Sequence, residues 1–204
     1  MICHTVHLQT NAYHETAGVD SLVSFHPSWE FSGEIYFLLE ENFYVMPIAA
    51  TDRGRLHLEA RYNYEDFRSF SFFTGYIFTT GEKNQLEVIP LLGGVIGNRL
   101  GIVPGVEIDV LWNHFEFYSE AEYVFDLRSR DSNFFYNWAE SRYYFGNWLL
   151  VGVTSQQSRE VTGGWLVENG FLAGVNFSNY SGLVYLFNPG SKDRLTIFTV
   201  AIIF

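Results

Sequence analysis

Lysine is almost missing from this chain: only Lys83 and Lys192 carry it. With 12 basic side chains against 23 acidic ones, the formal net charge is -11. That balance excludes a nucleic-acid partner, because phosphate binding needs clustered Lys and Arg to release counterions. Cys3 is the single cysteine, which excludes an internal disulfide framework and zinc sites of the multi-cysteine kind. Charged residues make up only 17% of the chain, little for a surface that faces water everywhere. No apolar run approaches the roughly 18 residues of a membrane-spanning helix, so any insertion into a bilayer must use strands.

What the chain has in excess is aromatic rings. They account for 19% of its 204 residues, about twice the share of an ordinary soluble protein, and the hydrophobic total is 48%. The length suits one domain. Residues 1–32 show no sustained period and read as an irregular arm ahead of a β-domain over 33–204. Cys3, His4, His7, His14 and His26 dot that arm, but their spacing is too loose to specify a metal site, and no cofactor is expected.

From Gly33 onward, short alternating runs recur between turn residues. The segments are about Gly33 to Glu40, Phe43 to Ala50, Arg55 to Tyr64, Ser69 to Phe78, Gln85 to Leu92 and Gly101 to Trp112. About His114 to Asp126, Asn133 to Phe145, Trp148 to Gln156, Gly164 to Phe177, Tyr180 to Asn188 and Arg194 to Phe204 complete the set. Tight and longer connections mostly alternate, the longest being Gly93 to Pro104, which predicts an all-β, antiparallel up-and-down barrel of about twelve strands, with ten as the alternative. Glu34 to Asn42 also fits a short amphipathic helix.

The alternation puts charge opposite grease. In Leu56 to Tyr64, His57, Glu59, Arg61 and Asn63 share one face, and Leu56, Leu58, Ala60, Tyr62 and Tyr64 the other. Glu107 and Asp109 oppose Val106, Ile108 and Val110, while Glu116, Glu120 and Glu122 oppose Phe115, Phe117 and Tyr123. Glu140 and Arg142 share a face later on, as do Glu168 and Asn176. Most aromatic residues, Tyr62, Tyr64, Trp112, Tyr143, Tyr144, Phe145 and Trp148 among them, fall near segment ends, where amphipathic rings form girdles at a water-lipid boundary.

The final stretch, Arg194 to Phe204, alternates on both faces and stops on phenylalanine. In this it resembles the bacterial outer-membrane β-barrel proteins, whose last strand commonly ends in an alternating apolar run closed by a terminal Phe. The resemblance implies a chain delivered to the outer membrane, embedded in its lipid bilayer, with that strand read by the assembly machinery. An exported barrel begins with a basic segment and an apolar stretch, and Met1 to Ser21 has neither. Either the start lies upstream, or a signal has been removed, or the protein is not exported.

In a membrane barrel the charged rows face inward, because a cation against lipid at mid-depth costs roughly 2 to 4 kcal/mol. The lumen candidates are then Glu59, Glu87, Glu107, Asp109, Glu116, Glu120, Glu122, Glu140 and Glu168, with Arg61 and Arg142 as the only cations. Two outcomes stay open: an acidic, porin-like passage for cations or small polar solutes, or a closed structural barrel in which both arginines pair with carboxylates. A soluble calyx binding an apolar ligand needs the faces exchanged. A lipid-modifying enzyme built from His57, Glu59 and Ser69 or Ser71 lacks any nucleophile elbow, so no catalytic residue is assigned. Leu91 to Gly105 is Gly-rich but lacks the Gly-Lys-Ser/Thr ending of a phosphate loop, which leaves a flexible external loop or a bent strand.

Overall fold

Strands account for almost all of the regular structure. The computed structural model describes residues 29–39, 44–81 and 84–204. Most of the stretch read as an arm, with Cys3, His4, His7, His14 and His26, falls in 1–28, outside the described residues. In chain order the strands are β1 (Glu30–Leu39), β2 (Tyr44–Arg53), β3 (Leu56–Tyr62), β4 (Ser69–Tyr76), β5 (Phe78–Thr80), β6 (Gln85–Gly97) and β7 (Gly101–Trp112). Then come β8 (Phe115–Asp126), β9 (Phe134–Phe145), β10 (Leu149–Glu160), β11 (Trp165–Phe177), β12 (Tyr180–Phe187) and β13 (Leu195–Ile203). One 3-10 turn, Arg130–Ser132, lies between β8 and β9.

Each strand pairs antiparallel with its neighbour, β1 pairs with β13, and β4 pairs with β6, so the sheet closes on itself. The short β5 continues β4 past Ile77 in the same register against β6 (Gly75 opposite Leu91, Phe78 opposite Val88). Counted as staves the barrel has twelve, the expected number. Closure leaves no edge in the wall, the condition for a sheet to sit in hydrocarbon.

The first strand is borne out, and two local expectations need correction. Glu34 to Leu39 is strand rather than the helix it also fits, because Tyr36 and Leu38 point into the lumen while Ile35 and Leu39 point out with period two. β1 also starts at Glu30, inside the stretch read as the arm. The long loop expected over Gly93 to Pro104 is mostly ladder: β6 runs to Gly97 and β7 starts at Gly101. Its glycines are there for packing. Gly93 faces Phe73 across the closing seam, and a Cβ on it would run into that ring and come within 2.8 Å of the Phe72 carbonyl.

Turns at the end of the barrel that holds the C-terminus are tight. Gly54–Arg55 and Asn113–His114 have two residues each, with Gly54 at φ 63 and Asn113 at φ 55, the left-handed conformation that short hairpins require. At the opposite end the 63–68, 127–133 and 188–194 connections are longer. Gly93→Ala is expected to cost about 1–3 kcal/mol by overpacking the seam, whereas Gly94→Ala, whose nearest neighbour is the Gly101 carbonyl oxygen at 3.7 Å, should shift stability by less than about 0.5 kcal/mol. Urea unfolding midpoints of the two variants in lipid vesicles would measure the difference.

Candidate functional site: the acidic lumen

The charged face of every central strand turns inward. Glu59, Arg61, Glu107, Asp109, Glu116, Glu120, Glu122, Glu140 and Arg142 are all buried, with Arg61 and Glu120 at 0% exposure. Large rings and aliphatic side chains on the opposite faces are exposed, among them Phe72, Leu92, Trp112, Phe145, Trp148 and Phe171. That orientation is the reverse of a soluble calyx, whose carboxylates would face water.

Arg61 on β3 is the centre of the first cluster. Its Nε donates to Glu59 on the same strand, and its Nη1 lies 2.8 Å from both Glu120 and Glu122 on β8 across the lumen. Glu107 on β7 is 3.7 Å from Nη2. The guanidinium plane also lies over Tyr64 and Phe73, 4.0 and 4.3 Å from the ring centroids. Next to it His57 is held through Nδ1 by Asp52 at 2.7 Å, with Nε2 3.3 Å from Glu59. Ligand atoms of His57, Glu59 and Glu107 lie within 4.8 Å of one another, close enough to share a metal ion. Glu59 turns one carboxylate oxygen to Arg61 and the other to His57.

Arg142 on β9 organises the second cluster. Its Nε donates to Glu140 at 2.5 Å and its Nη1 to Glu116 at 3.3 Å; Tyr144 donates to Glu116, and Trp138 Nε1 donates to Glu140 at 2.7 Å. Trp138 then reaches across to β12, its ring 5.4 Å from Tyr185 and 5.3 Å from Phe187. Glu168, Glu87 and Asp109 complete the candidates. Glu168 sits nearer the long-loop end, accepting from Gln156 at 2.5 Å and Asn188 at 2.9 Å. Glu87 accepts from Thr79 at 2.9 Å and borders a narrow pocket with Glu107, Asp109 and Tyr118.

Tyr64 and Tyr144, expected in the girdles, are inside. Tyr144 follows the inward parity of Glu140 and Arg142, whereas Tyr64, 2% exposed, departs from the alternation. The strand ends at Tyr62, and Asn63 at φ 62 resets the parity, so Tyr64 and Glu65 both turn into the mouth. Glu65 follows from no sequence signal, since it lies in the 63–68 connection. There Ser71 donates to its carboxylate. Above the charged clusters, Arg99 ties three connections at the long-loop end, 3.5 Å from Asp66, 3.8 Å from Asp126 and donating to the Ser132 carbonyl at 2.5 Å.

An uninterrupted antiparallel barrel, apolar outside and ionic inside, defines the class: a transmembrane β-barrel of the bacterial outer-membrane type. Solved porins share the fold. The chain is similar to the KdgM porin, with a TM-score of 0.62 and 9% identity over 85% of this chain and 98% of that one. KdgM in complex with disordered oligogalacturonate gives 0.60, again at 9% identity, over the same shares. The NanC porin gives 0.53 at 7% identity over 86% of this chain and 98% of that one. No family model and no curated protein matches the sequence.

Removing a guanidinium strands its carboxylates. Arg61→Ala is expected to destabilise the barrel by about 3 to 5 kcal/mol, seen as a lower urea midpoint and a lower temperature for loss of the compact band on a gel. Glu65, outside the membrane-spanning strands, gives a pH signature. Burial pushes its carboxyl from the ordinary 4.5 up to about 7, although Arg61 and the Ser71 hydroxyl pull the other way. The folded state therefore keeps a proton that the unfolded chain loses, so this residue's contribution is full below pH 4.5 and is lost as pH rises toward 7. Unfolding midpoints across that range should fall less steeply for Glu65→Gln than for the native chain.

Proposed function

We propose that this protein is a porin-like barrel of the outer membrane that admits small cations and polar solutes and rejects anions, with the Arg61 and Arg142 clusters as its constriction. The observation that carries the reading is the charge of the interior: among the described residues nine carboxyl side chains are buried there (Glu34, Glu59, Glu65, Glu107, Asp109, Glu116, Glu120, Glu122 and Glu140) against two guanidiniums. Such a wall attracts cations and raises the energy of an anion in the lumen. Glu87 and Glu168 extend the acidic path toward either mouth.

The sign of that field separates this chain from one of its structural neighbours. Oligogalacturonate, named in a KdgM complex, is a chain of carboxylates, and this interior is built to repel it. Solutes here are cationic or neutral. The C-terminal strand and Phe204, which is 73% exposed, serve as the segment read by the assembly machinery.

Planar-bilayer recording under a KCl gradient tests the proposal. The native chain should give small-conductance events whose reversal potential reports preference for potassium. Arg61→Ala should enlarge the conductance, and the pair Glu120→Gln and Glu122→Gln should weaken the cation preference. Anion preference, silence of both the native chain and Arg61→Ala, or a cation preference that survives both glutamine substitutions would defeat it.

A further inference from the structure

The lipid-facing belt has one flaw. Around most of the barrel the outward residues are apolar: β7 shows Ile102, Pro104, Val106, Ile108, Val110 and Trp112, and β13 shows Phe198, Val200 and Ile202. On β8 to β11 the pattern breaks. Outward positions of β9 read Phe135, Asn137, Ala139, Ser141, Tyr143 and Phe145, so small and polar residues occupy the middle while rings flank them on both sides. On β8, likewise, Ser119 and Ala121 lie between Phe115 and Phe117 at one end and Tyr123 and Phe125 at the other.

Register joins these residues into one patch. Ser119, Ala139, Ser155 and Asn169 are successive partners across β8 to β11, and Ala121, Asn137 and Gln157 form the adjoining row. Asn137 is satisfied locally, donating to Ser119 Oγ at 3.0 Å and the Glu120 carbonyl at 2.7 Å. Gln157 and Asn169 have no side-chain hydrogen bond among the described residues. Their depth, between the two aromatic girdles, is that of the acyl chains, where an amide finds no partner. Lipid is the wrong neighbour for this face.

We infer that the β8–β11 face is the docking surface for a second copy of this chain. The patch carries no ionic charge, and its amides and hydroxyls each offer both donor and acceptor, so it is complementary to itself. Two copies in one membrane lie at the same depth, and a two-fold axis along the bilayer normal brings the Ser119–Asn169 row of one against that of the other. Shape supports close approach. Ala139, Ser141, Ser155 and Gly170 line a groove of about 450 Å³ flanked by Phe117 and Phe171, wide enough for an aromatic ring of the other copy. Small residues that admit a neighbour and polar ones that bond to it are what membrane-embedded protein interfaces use.

This inference rests on the membrane orientation but not on conduction. Its test uses the full chain exported behind a cleavable signal sequence, with Cys3→Ser so that an introduced thiol is the only one. Ser155→Cys, at the centre of the patch, should be joined by a short bis-maleimide in intact outer membranes into a species of twice the 23.5 kDa chain mass. Ala49→Cys, exposed on the opposite wall, should not. Gln157→Leu with Asn169→Leu should lower the cross-linked yield roughly tenfold while leaving the heat-modifiable band intact. The inference is overturned by an inserted barrel that yields no dimer from Ser155→Cys, by equal yields at both positions, by a yield untouched by the leucine pair, or by an adduct to a protein of another mass. A chain that never enters the membrane would instead refute the class assigned above.

Discussion

Arginine 61 holds two separate parts of the barrel wall, β3 and β8, at a fixed distance. Its guanidinium reaches Glu59 along its own strand and Glu120 and Glu122 on β8, with β4, β6 and β7 standing between the two strands around the wall. Taking one cation and several carboxylates out of water carries a large desolvation cost, which only close, multiple contacts offset. The rest of the interior follows from that need. β3, β7 and β8 must each present their charged row inward at one height, and slipping any of them by a residue would carry every carboxylate to the lipid side. Arg142 repeats the logic near the tight-turn end through Glu116 and Glu140. Ionic pairing here is a device for setting register as much as a source of stability.

Legibility in the sequence tracks this contrast between faces. Where one row is charged and the other greasy, as in Leu56 to Tyr62, Phe115 to Asp126 and Phe134 to Phe145, period two identifies the strand, its length and its inward side. β2, β12 and β13 are largely apolar on both faces, so little in their letters says that Met46, Leu183, Tyr185 and Ile197 fill the lumen rather than meet lipid. Their orientation is set by neighbours, through register with strands whose polarity is unambiguous. Asn63 shows a second limit: one left-handed residue breaks the parity of the positions after it, and a rule that counts by twos carries Tyr64 to the wrong side. The glycines of 93–105 mislead in another way. Glycine in a strand can mean a loop or a close approach, and only the facing Phe73 ring distinguishes them.

The two kinds of strand divide the interior lengthwise. Both buried guanidiniums and most of the buried carboxylates line the wall from β3 through β9, while Leu38, Ile48, Leu150, Leu172, Leu183 and Ile197 pack most of the wall formed by β1, β2 and β10 to β13, with Glu34 buried among them. Trp138 sits on the boundary: its indole nitrogen serves Glu140 on the ionic side, and its ring meets Tyr185 and Phe187 on the other. In the proposed channel a solvated route follows the ionic side, and the mostly apolar side packs as a folded core.

That division also decides where a passage would narrow. Along the ionic wall an ion meets Glu87 and Asp109 at the tight-turn end, then the carboxylates around Arg61, then Glu65 beneath the connection tied by Arg99. The widest charge imbalance and the only cation of the first cluster coincide at Arg61, whose side chain crosses to β8. A guanidinium in that position opposes entering cations electrostatically while its carboxylate partners attract them, so the barrier depends on how tightly it is held by Glu120 and Glu122. In the proposed channel the contact that fixes the wall registers also sets the constriction, so the two roles cannot be altered separately at this residue.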